Sequence, residues 1–260
     1  PLFLLFGSSL ATPGAAATHV FGQLCTSVLA VVLVWRMLRE SRDATPAFPT
    51  IDLLKPAGPL FWIAVLNLVL GVTDSFMIGY FMESEQVGLF SVASRVVFLS
   101  SMVLVVMNSV VAPKLSIFSH RQDYQAFRHV INTTTIYMAL LAALILFLLV
   151  GFAAPILSLF GDEFPVASRE FTILAVGQFF VLATGPVAYA LMMMGHERTH
   201  RNIVFFSAIV NVALNAWLIP LFGITGAAIA TASSLLIKNV LAFVLLHAKV
   251  RQMIRIADGT

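Results

Sequence analysis

Charge is what this sequence has least of. Asp, Glu, Lys and Arg make up 10% of the 260 residues and hydrophobic residues 60%, where soluble domains average about 25% charged and 45–50% apolar. So little charge cannot cover a soluble surface, and the apolar excess, with a mean hydropathy of +0.97, exceeds what one core can hide. Cysteine is nearly absent: Cys25 has no partner in the chain, which excludes disulfides and cysteine-based metal sites together. No HExxH and no His/Asp/Glu cluster at ligand spacing occurs, so no metal is expected. Gly-rich strand-turn-helix phosphate loops are missing too, which removes a built-in ATPase and leaves no cofactor to expect. The formal charge of +3 is too small to point to nucleic acid.

What is there is long apolar runs. A bilayer core needs about 20 apolar residues per helix. Seven segments qualify: Ala16 to Leu38, Gly58 to Phe81, Gln86 to Ala112, His129 to Phe152, Thr172 to Gly195, Ile203 to Leu218 and Gly226 to Ala248. The sixth is the shortest. The expected fold is all-α, a polytopic transmembrane helix bundle. Lys and Arg alternate in the loops: Arg36, Arg39, Arg42, Lys55, Lys114, Arg121, Arg128, Arg198, Arg201, Lys249, Arg251 and Arg255 share one side, and Arg169 alone holds the other. That asymmetry puts the first side, and the carboxy terminus, in the cytoplasm.

An internal repeat supports two lobes. At an offset of 212 residues, Gly14, Ala15, Ala16, Val28, Leu29, Ala30, Val32 and Leu33 meet Gly226, Ala227, Ala228, Val240, Leu241, Ala242, Val244 and Leu245. Both stretches run in the same direction across the membrane, as in parallel transporter repeats. The opening PLFLLFGSSLATPG has neither a basic n-region nor a cleavage pattern. The chain therefore reads as a fragment: residues 1–42 the last helix of an amino-terminal lobe, 43–57 a cytoplasmic linker, 58–250 a six-helix carboxy-terminal lobe and 251–260 a cytoplasmic tail.

Ionisable groups inside a span cost about 2.5–3.5 kcal/mol on insertion scales and demand a partner or a wet cavity. Asp74, Arg95 and Lys238 are such groups. Asp74 and Arg95 lie at matching depth on consecutive spans, which predicts an ion pair, either structural or engaged in proton or ion coupling. Lys238 has no acid placed at its depth and shares a helical face with Thr231 and Ser234, a polar stripe expected to face a cavity and favour an anionic group such as phosphate. Asn67, Gln178, Asn211 and Asn215 fall on further polar stripes, suited to cavity lining or to interhelical hydrogen bonds.

The stretches DSFMIGYFMESEQVGLFSVASRV (Asp74 to Val96) and NVALNAWLIPLFGITGAAIAT (Asn211 to Thr231) are similar to the second lobe of bacterial polysaccharide flippases. Those belong to the multidrug/oligosaccharidyl-lipid/polysaccharide exporter superfamily. VVAPKLS and LFGDEF also resemble that family. The resemblance implies two lobes around a cavity and flipping of a polyprenyl-diphosphate oligosaccharide by alternating access, for surface polysaccharides of the O-antigen or lipopolysaccharide type. It also implies a bacterial cytoplasmic (inner) membrane, with membrane lipids as surroundings and a polysaccharide polymerase or other assembly proteins as partners. Arg95 and Lys238 are then the candidates for the sugar-diphosphate, with H+ or Na+ as coupling ion. A drug or cation antiporter of the same superfamily ranks second, because a mid-membrane lysine repels cations. A membrane glycosyltransferase or polymerase ranks third, since Glu83, Glu85, Asp162, Glu163 and Glu170 sit in short turns without convergent spacing.

Overall fold

The structure is a computed structural model that describes Val32, Arg36 and residues 50–257. Apart from Val32 and Arg36, the expected first span and the amino-terminal copy of the repeat, with Cys25, lie outside the described residues. Helical structure dominates: α1 Thr50–Phe81, α2 Ser84–Leu99, α3 Ser101–His120, α4 Tyr124–Gly151, α5 Ala153–Ser158, a 3-10 turn Phe164–Ala167, α6 Ser168–Ala183, α7 Val187–Met193 and α8 Glu197–Ala257. The chain divides into residues Pro1–Leu53 and Leu54–Thr260, and the site described below lies wholly in the second.

Six helical stretches among the described residues are long and apolar enough to cross a membrane: Gly58–Phe81, Ser84–His120, Tyr124–Gly151, Phe164–Met193, Glu197–Phe222 and Ile224–Ala257. The protein is an all-α, multi-pass membrane protein. Four boundaries differ from expectation. Helix α1 begins at Thr50, inside the stretch read as linker, and α8 continues to Ala257 through most of the expected tail. The third span runs eight residues past Ala112, because Pro113 is accommodated within α3. The sixth is not short. Arg198, His200, Arg201 and Asn202 are helical and extend it back to Glu197, since polar side chains at a helix end can reach the interface without ending the helix.

Turns follow local chemistry. Asp123 caps α4 by accepting from the Ala126 amide at 2.9 Å, which satisfies one of the free N–H groups of the first turn. At Gly223 (φ 59°, ψ −140°) the chain reverses between the two arms of α8, a backbone geometry that side chains with a Cβ disfavour. The fifth span breaks at Thr184–Pro186, where Gly185 takes φ +68°. Pro186 cannot donate to the preceding turn. Thr135 donates its hydroxyl to the Thr184 carbonyl at 3.3 Å, replacing part of what the break removes.

Helix α6 is central, packing against α2, α3, α4 and α8. Its closest approach is at Gly177, where a Cβ would lie 2.6 Å from Ala232 Cα on the second arm of α8. Small residues bring membrane helices together where no hydrophobic force distinguishes protein from lipid. Phe90, Phe171, Leu174 and Ile78 fill the core toward one end of the bundle, and Phe127, Ile131, Leu191 and Leu246 fill it toward the other. Large apolar side chains cover the outside, Phe76, Phe147 and Trp217 among them, as a lipid-facing surface requires.

Candidate functional site

Helices α1, α2 and both arms of α8 enclose a cavity of about 160 Å³, lined by Asn67, Gly71, Asp74, Ser94, Asn211, Thr231, Ser234 and Lys238, with Phe90 and Phe98 among its apolar walls. Asp74 is its centre and is 7% exposed. Three donors converge on its carboxylate. Thr231 Oγ1 donates to Oδ2 at 2.5 Å, while Asn215 Nδ2 and Asn211 Nδ2 donate to Oδ1 at 2.6 and 3.4 Å. Asn215 Nδ2 also lies 3.2 Å from Asn211 Oδ1, and Asn211 Nδ2 lies 3.2 Å from Ser234 Oγ. Ser207 donates to the Ser234 carbonyl at 2.8 Å. The network ties α1 to both arms of α8.

Helical spacing explains the convergence. Ser207, Asn211 and Asn215 follow one another at four-residue intervals, so they stack on one face of the first arm. Thr231, Ser234 and Lys238, at intervals of three and four, share a face of the second arm, and the Gly223 reversal turns the two faces toward each other. Asn67, Gly71 and Asp74 form the matching face of α1. Bonds to an ionised group are the strongest neutral donors can make, and a buried carboxylate without them would be untenable in a membrane. One acceptor is left over: Asn215 Oδ1 is buried and has no partner among the described residues.

The expected Asp74–Arg95 ion pair is not formed. Arg95 is exposed on α2 and neighbouring Ser94 faces the cavity instead, because adjacent helical positions point about 100° apart. Asp74 faces α8, and its partners are the neutral donors just named. The expectation that no acid lies at the depth of Lys238 is corrected too: Asp74, paired with Arg95 in the sequence reading, shares the cavity of Lys238. Lys238 is half-buried, with no ion-pair partner among the described residues. Gln178 lies elsewhere, its Nε2 donating to Ser101 Oγ at 2.6 Å, and so joins α6 to α3 without lining the cavity. Among the acids expected in short turns, Glu170 is buried and accepts from Thr225, whereas Asp162 and Glu163 are exposed. Ser94 and Ser207 were missed; the four-residue series from Ser207 to Asn215 was the available signal.

A volume of about 160 Å³ is below the roughly 300–1,000 Å³ of pockets that hold drug-sized ligands. It accommodates waters or a small cation, and beside the Lys238 ammonium its lining offers mostly oxygens: the carboxylate of Asp74, the hydroxyls of Ser94, Ser207, Thr231 and Ser234, and the amide oxygens of Asn67 and Asn211. Hard cations prefer such ligands.

A polysaccharide biosynthesis protein family matches residues 7–169, more than half of the chain. The protein belongs to that family. Family membership agrees with the flippase resemblance of the sequence. Among curated proteins, the probable low-salt glycan biosynthesis flippase Agl15 of Haloferax volcanii is 29% identical over 248 residues, which cover 92% of this chain and 50% of the relative. The chain thus spans about half the length of that flippase.

Proposed function

We propose that this chain forms most of one lobe of a secondary transporter that flips a polyprenyl-diphosphate-linked oligosaccharide across the cytoplasmic membrane, driven by a cation bound at Asp74. The carrying observation is the buried, triply hydrogen-bonded carboxylate in a cavity sized for an ion. Membership of a polysaccharide biosynthesis family and likeness to a glycan flippase supply the substrate class. The bacterial, O-antigen and lipopolysaccharide readings rest on the sequence resemblance alone, and the cytoplasmic carboxy terminus rests on the Lys/Arg count.

Lys238 gives this site a second state. With no cation bound, its ammonium, on a flexible four-carbon stem, lies in the same cavity as the carboxylate and offsets its charge. A sodium ion or proton arriving at Asp74 takes over that neutralisation and frees the ammonium for an anionic group. Binding of cation and of diphosphate thereby become linked, and linkage of this kind is reciprocal. Alternating access follows if the Asp74 network, which joins α1 to α8, holds one helix arrangement only when the cation is present.

The test uses the full-length protein in liposomes, following a fluorescent polyprenyl-diphosphate oligosaccharide and a cationic dye under sodium or proton gradients. Gradient-driven movement of the lipid-linked sugar that falls at least tenfold in Asp74→Asn supports the proposal. Movement of the dye alone places the protein with the antiporters. Sugar movement indifferent to both gradients and to Asp74→Asn removes the coupling role.

A further inference from the structure

A second cavity, of about 230 Å³, opens at the basic end of the bundle between the start of α4 and the end of α8. It shares no residue with the Asp74 cavity. Each helix contributes polar groups one turn apart: Arg128 and Asn132 from α4, His247 and Arg251 from α8. Positions i and i+4 lie on one helical face, so two pairs of nitrogen-bearing side chains confront each other across the cavity. The floor is apolar, formed by buried Ile131 and Leu246.

The imidazole is held in place. His247 Nδ1 lies 2.9 Å from the Phe243 carbonyl, Nε2 lies 3.3 Å from Asn132 Oδ1, and the Phe243 ring packs against it at 4.1 Å between centroids. Both guanidiniums are solvent-exposed at the rim. The cavity therefore offers two planar cations that can each grip a phosphate through paired N–H donors, with no acid among its lining residues.

Depth selects among phosphates. Arg128 is four residues inside the start of α4 and Arg251 six residues before the end of α8, or about 6–9 Å from the helix ends at 1.5 Å per residue. Helix α4, with 28 residues, is about 42 Å long and exceeds a hydrocarbon core of roughly 30 Å by about 6 Å at each end when centred on it, which sets Arg128 at the edge of the hydrocarbon, where lipid headgroup phosphates lie. An apolar floor below two arginines matches a headgroup with its glycerol and first methylenes, and basic pockets between transmembrane helices are a recognised way to hold anionic lipids. We propose that this cavity is a binding site for the headgroup phosphate of an anionic phospholipid, separate from the transported substrate.

The experiment reconstitutes the full-length protein in nanodiscs of phosphatidylcholine with one-fifth phosphatidylglycerol. Co-purifying lipids are then counted by native mass spectrometry for wild type, Arg128→Gln/Arg251→Gln and Lys114→Gln/Arg121→Gln. The last variant removes the same charge at the same end without touching the cavity. Retained phosphatidylglycerol falling at least threefold in the first variant alone, with phosphatidylcholine unchanged, supports the site. Equal losses in both variants would reduce it to diffuse surface attraction, and no loss in either would overturn it. Thermal unfolding with inorganic phosphate separates the sources. Stabilisation by millimolar phosphate that needs Arg128 and Arg251, without preferential retention of phosphatidylglycerol, would assign the cavity to a soluble anion and overturn the lipid reading. Should the double glutamine variant fail to fold, Arg128→Lys/Arg251→Lys keeps the charge while losing the paired donors, and the same threefold fall is expected.

Discussion

Asp74 shows how a carboxylate can be buried in a membrane on hydrogen bonds from neutral donors, with no direct ion pair among the described residues. Its three donors come from helices that the chain separates by well over a hundred residues, and each interhelical hydrogen bond in a membrane contributes on the order of 0.6–2 kcal/mol. Thr231→Val keeps the side-chain shape and removes one donor, so thermal unfolding should show a loss of about 1–2 kcal/mol. Asp74→Asn is the contrasting case. An amide can accept from Asn215 and offer its own N–H to Thr231 Oγ1, so folding should survive. What disappears is the charge. Sodium at a hundred times its dissociation constant should stabilise the unmodified protein by about 2.7 kcal/mol and leave Asp74→Asn unmoved; equal stabilisation of both would place the ion elsewhere. At the basic end, burial, then the Lys249 ammonium, lower the His196 pKa from 6.5 against the opposing pull of Glu197. With the folded pKa below the unfolded one, the neutral ring's contribution is complete above pH 6.5 and declines as the pH falls below it, because the unfolded chain then takes up the proton more readily. His196→Gln should flatten stability across that interval, and an unchanged pH profile would show that the ring takes no part.

Among the elements, the second arm of α8 is the one on which both site and packing depend. It can lie so close because of two glycines. A Cβ on Gly226 would stand 2.2 Å from the Leu218 carbonyl oxygen, and Gly223 holds φ 59° where the arms reverse. Gly226→Val must push the arms apart, which moves Thr231 and Ser234 away from Asn211 and Asp74. The expected result is loss of sodium-dependent stabilisation together with a fall of several degrees in unfolding temperature, measured in the same detergent. Gly177→Val, by contrast, wedges α6 from Ala232 on the face remote from the carboxylate, and should lower stability while retaining part of the sodium response. The sequence made the arm's polar stripe legible, since Thr231, Ser234 and Lys238 follow helical spacing. It did not reveal the partner of that stripe. Pairing Asp74 with Arg95 assumed that opposite charges at equal depth meet, but depth fixes only one coordinate, and rotation about the helix axis turned Arg95 outward and Ser94 inward. Gln178 failed for the same reason: its stripe exists, yet faces Ser101 on α3.

At the scale of the whole molecule, the spans and their alternation were readable because the membrane restricts the backbone to helices of known length. Boundaries were blurred where polar residues prolong a helix into the interface, as from Glu197 to Asn202. Two contacts fix which helix ends lie together: Thr225 with Glu170 at one end, His247 with Asn132 at the other. Among the described residues the first end carries Arg169 and the second carries Lys114, Arg121, Arg128, Arg198, Arg201, Lys249, Arg251 and Arg255, so the charge asymmetry there coincides with the two ends of the bundle. Orientation then has a direct test in the full-length protein with its cysteines replaced by serine. Asp162 and Gln125 are exposed and mark opposite ends of α4, Gln125 in its first turn and Asp162 beyond its last. Asp162→Cys should react with a membrane-impermeant maleimide on intact cells, and Gln125→Cys only after permeabilisation. The reverse pattern would invert the whole bundle and put the arginine-rich cavity in the outer leaflet. Labelling of both on intact cells would mean that α4 does not cross the membrane, which would also separate Asn132 from His247 and dismantle that cavity.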